Sequence, residues 1–350
     1  MWSYSRAGVD VRKIRKIQGD IGKVVSTTHS AINKDWNVWS GFGHYAGLIE
    51  YQSKVFALHT DGVGTKIIIA QLMKKYDTVG VDCVAMNVND VICVGATPIG
   101  FLDYIALRKP DSYLVRELAK GLANGAKQSN VAIVGGETAI LPDLLDEKKE
   151  NTFDLVGSVF GVADKKSLVM GNKISEGDII IGLESSGLHS NGYSLARKVL
   201  LSNYKLNNSH RFLQCSIGEE LLKPTRIYVT PILDLLKKLN SVRGLAHITG
   251  GSFAKLSRLN NRVNYCLDNL PEEENIFTLI QQTGKISIKE MYCTFNMGIG
   301  FCIIVSKSDL NNVETMLDKR KVKHHQIGFI AKGNGVVSMT KKGRKYVLTD

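Results

Sequence analysis

The segment Asp61-Gly-Val-Gly-Thr-Lys66 sets a carboxylate, two glycines, a hydroxyl and an ammonium into six residues behind an apolar strand pattern. These groups handle phosphate and a divalent cation. Glycine amides approach phosphate oxygens closely, Lys66 neutralises charge on them, and Asp61 offers the oxygen ligand that Mg²⁺ prefers. No Walker spacing occurs, and Gly41 to Gly47 misses the dinucleotide fingerprint by one residue. The segment alone reads equally as a polar turn that caps a helix. Asn87 and Asp90, three apart in a helical pattern, share a face that points either to a ligand or to solvent. Gly135-Gly-Glu-Thr138 follows the apolar run Val131 to Val134, read as a buried strand, and supplies a third acidic turn, with Glu137 in a solvated cap as the plainer reading. Asp61, Asp90 and Glu137 together would make a site for divalent cations bridging nucleotide phosphates.

In the second half, Ser185-Ser-Gly-Leu-His-Ser-Asn-Gly192 packs three serines, a histidine and an asparagine between a strand and a helix start, a place that favours an anion. Ser190 lacks the flanking glycines of a nucleophile elbow, so acyl-enzyme chemistry is not expected. His247-Ile-Thr-Gly-Gly251 is a second strand-to-glycine turn. His189 and His247 read equally as structural histidines.

The elements that must carry these turns alternate. Apolar residues at three- and four-residue steps predict a helix over Val11 to Val25, followed by a glycine-rich loop from Ser40 to Gly47. Strands are expected over 46–51, 54–60, 99–107, 131–134 and 153–162, with helices from Val81 to Ile92 and over 112–128. A polar stretch from Ser167 to Ser175 separates a second set: strands over 178–183, 245–248 and 299–305, and helices over 193–201, 226–239 and 310–317. Glycine-rich turns after strands are where α/β proteins bind ligands.

Composition narrows the classes. At 350 residues the chain exceeds what one core usually supports, and 44% hydrophobic residues with 22% charged make it globular rather than disordered. The longest apolar stretches, such as Ile67 to Ala70, fall far short of the roughly 18 residues a membrane span needs, so no membrane partner is expected. The N-terminus lacks a secretory pattern, which predicts a cytoplasmic protein. Six cysteines without a C-x-x-C pair read as reduced and buried. The net charge of +12 concentrates in residues 318–350, with nine basic and two acidic side chains. Without aromatic interleaving beyond Phe329 and Tyr346, this reads as a solvated basic face, and no nucleic-acid partner is expected.

Taken in order, Ser5 to Asp10, Asp61 to Lys66, Asn87-Val-Asn-Asp90, Gly135 to Thr138, His189-Ser-Asn-Gly-Tyr-Ser194, Pro224-Thr-Arg-Ile-Tyr228, His247 to Gly251 and Thr294-Phe-Asn-Met-Gly-Ile-Gly300 resemble the motifs of the phosphoribosylformylglycinamidine cyclo-ligase family. The resemblance runs through nearly the whole chain. It implies an α/β (α+β) fold of two mixed domains, an ATP and dimerisation domain over 1–166 and a substrate domain over 167–350, with a ligand cleft between them. It further implies a homodimer that joins N-terminal sheets, ATP and Mg²⁺ as cofactors, and a small ribonucleotide as substrate. ATP would meet Lys23, Gly41, Phe42, Gly43, Asp61, Gly62, Gly64, Thr65, Lys66, Asn87, Asp90, Gly135, Gly136, Glu137 and Thr138. The ribonucleotide would meet Ser185, Ser186, His189, Ser190, Asn191, Gly192, His247, Thr249, Gly250, Gly251 and Asn296. Asp61, Lys66, Asp90 and His189 would be catalytic, with Mg²⁺ on Asp61, Asp90 and Glu137. The activity implied is ATP-dependent closure of formylglycinamidine ribonucleotide to aminoimidazole ribonucleotide. A related kinase would keep Asp61, Lys66 and Asp90 without needing His189-Ser-Asn-Gly192, and no reactive cysteine precedes the first glycine loop as in the selenium enzyme. Three departures stand out: Ser252 where the family has a third glycine, no prolines over 256–260, and His44-Tyr45 where smaller residues are usual.

Overall fold

The computed structural model describes residues 2–41, 43–145 and 152–349. Helix α1 (Val11–Val25) forms where the periodicity predicts it, but Ile14, Ile17, Ile21 and Val24 remain exposed. The chain that follows is not loose throughout. Strand β1 (Trp36–Ser40) pairs with β2 (Gly47–Tyr51), fastened by Trp36 stacked on Tyr51 at 4.3 Å, and β2 pairs with β3 (Lys54–Gly62). Then come α2 (Ile67–Met73), α3 (Asp77–Ile92), β4 (Thr97–Leu107), α4 (Ser112–Ser129), β5 (Ala132–Ile140) and β6 (Phe153–Asp164). The six strands order as β1-β2-β3-β6-β4-β5, antiparallel except for β4 with β5.

Helix α3 is the buried axis of this domain. It starts earlier than its valine stripe suggests, and all its residues from Thr78 onward are buried. It crosses α4 where both helices have glycine: a Cβ on Gly121 would sit 1.9 Å from the Asp77 carbonyl. Asp111 caps α4, its carboxylate accepting from the amides of Tyr113 and Leu114 at 3.0 Å, one of the stronger start signals a sequence carries. The opposite face of the sheet is uncovered, and Leu58, Leu102, Tyr104 and Phe160 stand 38–47% exposed there.

The second sheet uses β7 (Ile179–Glu184), β8 (Val242–His247), β9 (Val263–Leu267), β10 (Ile299–Val305), β11 (His324–Lys332), β12 (Val337–Lys341) and β13 (Arg344–Val347), ordered β13-β12-β9-β11-β7-β10-β8. Only β9 with β12 is parallel. Strand β10 reads as an unbroken apolar run because it is buried at every position between β7 and β8. Helices α5 (Tyr193–Leu201), α6 (Ile217–Leu221), α7 (Val229–Lys238), α8 (Asn275–Gly284), α9 (Ile288–Thr294) and α10 (Leu310–Lys319) complete the domain. The molecule thus has two mixed α/β domains, each built on a mixed sheet.

One expectation needs correction, and another gains a structural setting. The run Val131 to Val134 is not a buried strand: Val131 is buried, but Ile133 and Val134 lie on the exposed edge strand β5, and Gly135, Gly136, Glu137 and Thr138 continue that strand rather than forming a turn. The basic C-terminal segment carries strands that belong to the second sheet, and Lys341 is anchored by Glu273 at 3.0 Å and by the Pro271 carbonyl. Lys332, Lys342, Arg344 and Lys345 do lie exposed, as a solvated face requires.

Candidate functional site

Because α3 is buried all round, each polar residue on it must find a partner. Three of them bond the second domain. Asn89 accepts from the Tyr228 amide at 2.9 Å and donates to the Arg226 carbonyl at 2.9 Å, while Asp82 accepts from the amide and hydroxyl of Thr225 at 2.7 and 2.6 Å. Asn87 donates to the carbonyls of Asp61 and Cys83, tying the end of β3 to the helix, and its own amide oxygen is buried without a partner. Asp90 accepts from His247 Nδ1 at 2.7 Å, so β8 of the second domain ends on the acidic residue of the first.

Asp61 joins that cluster. A Cβ on Gly157 would touch Asn87 and Cys83, so the face of the sheet carrying Gly157 is the α3 face. Asp61 pairs directly with Gly157 and shares that face. Burial raises the Asp61 pKa, the Asp90 charge raises it further, and His59 and Lys255 oppose both. For Asp90 burial acts upward too, but Lys255 and the His247 hydrogen bond prevail and hold it at about 2. His247 is kept neutral chiefly by burial against the pull of Asp90. With Nδ1–H donated to Asp90, its Nε2 is left as the acceptor facing Asn89 Nδ2 at 3.4 Å.

Glu137 does not belong to this cluster within one chain. Its neighbour Gly136 lies in the row Asp61, Gly157, Asp103, Gly136, three strand spacings or roughly 14 Å from Asp61. Glu137 itself pairs with Tyr104 and therefore projects from the opposite, uncovered face. Gly135 and Thr138 are carried away with it along the edge strand.

Lys66 is likewise placed differently from its expected role. It is fully buried, and its ammonium bonds Asp82 at 2.7 Å, the His189 carbonyl at 3.0 Å and the Lys223 carbonyl at 2.6 Å, with the Tyr193 ring 5.6 Å away. All three donors are thereby used, so Lys66 ties the two domains together here and offers no free N–H to a phosphate. Gly62, Gly64 and Thr65 stand at the turn between: Gly62 donates to the Asp61 carboxylate at 2.8 Å, Gly64 takes φ +69°, and Thr65 meets Ser194 at 3.3 Å.

Beside the carboxylates opens a cavity of about 1400 Å³, lined by α1, the loop from Ser40 to Gly47, and strands β2 and β3. Lys23, Gly41 and Gly43 line it, while Phe42 lies outside the described residues. His29, His44 and His59 line it too, and Arg15 and Arg258 together with Lys23 give the cavity a basic wall that suits a polyphosphate. Both ring nitrogens of His44 are buried without partners, and burial, aided by Arg258, lowers its pKa to about 4.

The turn from Ser185 to Gly192 is more tightly knit than a vacant anion cradle. The amide of Ser185 donates to Gly298, that of Ser186 to His189 Nε2 and that of Gly187 to Ser185 Oγ. Ser185 donates to Glu274, Ser186 to the Pro224 carbonyl, and Ser190 meets Thr225 at 3.1 Å. Asn296 donates to the Gly187 carbonyl at 2.9 Å. His189 sits at φ +60° with its Nδ1 buried and unpartnered, and burial and His247 push its pKa well below the usual range. The Asn191 amide oxygen lies beside Gly250, where a Cβ would come within 3.2 Å of it, and Gly251 takes φ +84°.

Three participants escaped the sequence reading. His59 alternates with Asp61 along β3 and shares its face, a signal that strand periodicity could have exposed; its Nε2 stands 3.5 Å from Asp90. Lys255 and Arg258 come from the 3₁₀ turn Ser252–Arg258, which has no periodic pattern to mark it. Ser252, at the expected third glycine, takes φ +47° and bonds the Phe295 carbonyl at 2.6 Å, which fixes that turn.

The family model described as AIR synthase related protein, N-terminal domain, matches residues 43–163, and that of the C-terminal domain matches residues 175–341. Over 360 residues the sequence is 42% identical to the phosphoribosylformylglycinamidine cyclo-ligase of Methanocaldococcus jannaschii, covering 100% of both chains. It is 44% identical over 330 residues to that of Methanothermobacter thermautotrophicus, covering 94% of both. The fold is similar to thiamine-monophosphate kinase from Stenotrophomonas maltophilia, with a TM-score of 0.63 at 18% identity, covering 91% of this chain and 95% of the other.

Proposed function

The chain belongs to the phosphoribosylformylglycinamidine cyclo-ligase family and catalyses the ATP-dependent cyclisation of formylglycinamidine ribonucleotide to 5-aminoimidazole ribonucleotide in purine biosynthesis; from that premise we propose how its residues divide the work. The observation that carries the reading is the pairing of Asp61 with Asp90 beside a basic-walled cavity, one of them bonded to His247 of the other domain. ATP occupies the cavity, with Lys23, Gly41 and Gly43 around it and its phosphates toward Asp61 and Asp90. The formyl oxygen attacks the γ-phosphorus as the bond to ADP breaks; a nitrogen of the same molecule then attacks the formyl carbon and expels phosphate. Such chemistry needs alignment and charge neutralisation more than a protein nucleophile.

Mg²⁺ fits the donor set. Burial and the Asp90 charge raise the proton affinity of Asp61, a strain that a bound cation would relieve, and among the described residues no three His, Cys, Asp or Glu side chains group to hold a metal alone. That suits an ion which takes one or two carboxylates and completes its shell with phosphate and water. When bound on Asp61 and Asp90, Mg²⁺ neutralises phosphate charge. Asn87 fixes the Asp61 backbone, and the neutral His247 holds the Asp90 carboxylate in place.

The ribonucleotide is assigned to the second domain, along Ser185 to Gly192, His247 to Gly251 and Asn296, across a cleft from ATP, with the domains divided at 166/167. His189, whose Nδ1 is buried without a partner among the described residues, is assigned to the same site. Incubating the protein with formylglycinamidine ribonucleotide, ATP and Mg²⁺ and assaying aminoimidazole tests the reading; ATP cleavage without ring closure would point to a kinase instead. Ser190→Asp is expected to raise KM for the ribonucleotide about tenfold by setting a carboxylate against its phosphate, while KM for ATP changes little. Neutralising Lys341 and Lys342 together is expected to change neither by more than about twofold. The reverse pattern would move the phosphate site to the basic strands.

The uncovered apolar face with Leu58, Leu102, Tyr104 and Phe160 supports a homodimer formed through the first sheet. Leu102→Glu with Phe160→Glu is expected to convert a dimer to a monomer in light scattering; a monomeric parent protein would remove the proposal.

A further inference from the structure

With Lys66 committed to Asp82, the phosphoryl group in transfer needs another cation. We propose that Lys255, reaching from the second domain, contacts the γ-phosphoryl group as it passes from ATP to the formyl oxygen. The inference rests on the cyclo-ligase reading above. Lys255 is nine-tenths buried, on the 3₁₀ turn that follows Gly251. Its Nζ lies 5.5 Å over the Tyr45 ring and donates to Thr249 Oγ1, its one hydrogen bond among the described residues, so two N–H groups remain to donate. Tyr45 belongs to the loop lining the ATP cavity, whereas Thr249 belongs to the turn assigned to the ribonucleotide. The ammonium therefore stands at the junction of the two sites, and its charge acts on both Asp61 and Asp90.

In the step it serves, an electron pair on the formyl oxygen forms the new O–P bond while the bond from phosphorus to the ADP oxygen breaks, its pair leaving with ADP. A fixed, desolvated ammonium beside the transferring oxygens stabilises this charge without rearranging solvent. Arg258, on the same turn and also lining the cavity, holds charge toward the remaining phosphates.

The test uses the full-length protein with Lys255→Gln, which keeps a donor for Thr249 and removes the charge, and Lys255→Arg, which keeps the charge. For Lys255→Gln, kcat is expected to fall about 100-fold or more with KM for the ribonucleotide within about threefold, the pattern of a lost transition-state contact. Equilibrium binding of a non-hydrolysable ATP analogue with Mg²⁺ should weaken about tenfold while ADP binding stays within about twofold, a split that a merely structural lysine does not produce. Lys255→Arg should restore the preference for the triphosphate and at least about tenfold of the lost kcat. Equal weakening of both nucleotides, or a kcat within about threefold of the parent, overturns the proposal. If Lys255→Gln does not fold, Lys255→Arg decides: the displaced charge should lower kcat at least about fivefold with ADP affinity intact, and an unchanged kcat overturns it. If the parent protein forms no aminoimidazole, the cyclo-ligase reading fails separately, and the nucleotide comparison still reports on Lys255.

Discussion

Asp90→Asn lowers turnover on the order of 100-fold or more, the loss expected when charge stabilisation is removed from a transition state, and leaves the protein folded. The substitution is nearly isosteric. Asn still accepts from His247 Nδ1, so the bond between α3 and β8 survives, and the change removes charge and little else. That charge is present at every working pH, because Lys255 and the His247 bond outweigh burial and hold Asp90 near 2. The variant should therefore need more Mg²⁺ to reach its lower rate, and a kcat titration against Mg²⁺ with a thermal melt as control separates the outcomes. A folded variant with near-normal turnover at limiting Mg²⁺ removes Asp90 from the site.

How much of this was readable beforehand depends on which physical signal each element carries. The turn after β3, helix α3 and the turn after β8 were legible because glycines and carboxylates punctuate strong apolar runs. Asp61 and Asp90 are consequently legible as partners from the sequence alone. Glu137 failed for a reason internal to sheets. Gly135-Gly-Glu looks like a turn, since glycine is the usual turn residue, yet here the chain continues extended along an edge, and alternation sends Glu137 to the far face. The basic strands β11 to β13 were missed because their exposed lysines mask the buried positions Ile327, Ile330, Val337 and Met339. Lys255 was invisible, since nothing local tells a 3₁₀ turn which side chain it will bury.

Lys66 gives the second large effect, and it separates stability from chemistry. Both Lys66 and Asp82 are completely buried, and such a pair is held against a desolvation cost that falls on whichever charge is left alone. Lys66→Met strands the Asp82 carboxylate and also strips a donor from the carbonyls of His189 and Lys223. A loss of about 3–5 kcal/mol in unfolding free energy is expected. Adding Asp82→Asn removes the stranded charge while its amide oxygen still accepts from both donors of Thr225, so the double variant should be more stable than Lys66→Met alone. Chemical denaturation of the parent and three variants measures this coupling, and a double variant no more stable than Lys66→Met sinks the charge argument. Activity then decides the role. As a strut, Lys66 leaves the folded double variant with kcat within about tenfold of the parent, whereas a phosphate ligand would keep it about 100-fold lower even when the fold is rescued. Since each of its three donors already has a partner linking α3 to the turn before α5 and the segment before Pro224, the first outcome is the one the geometry requires.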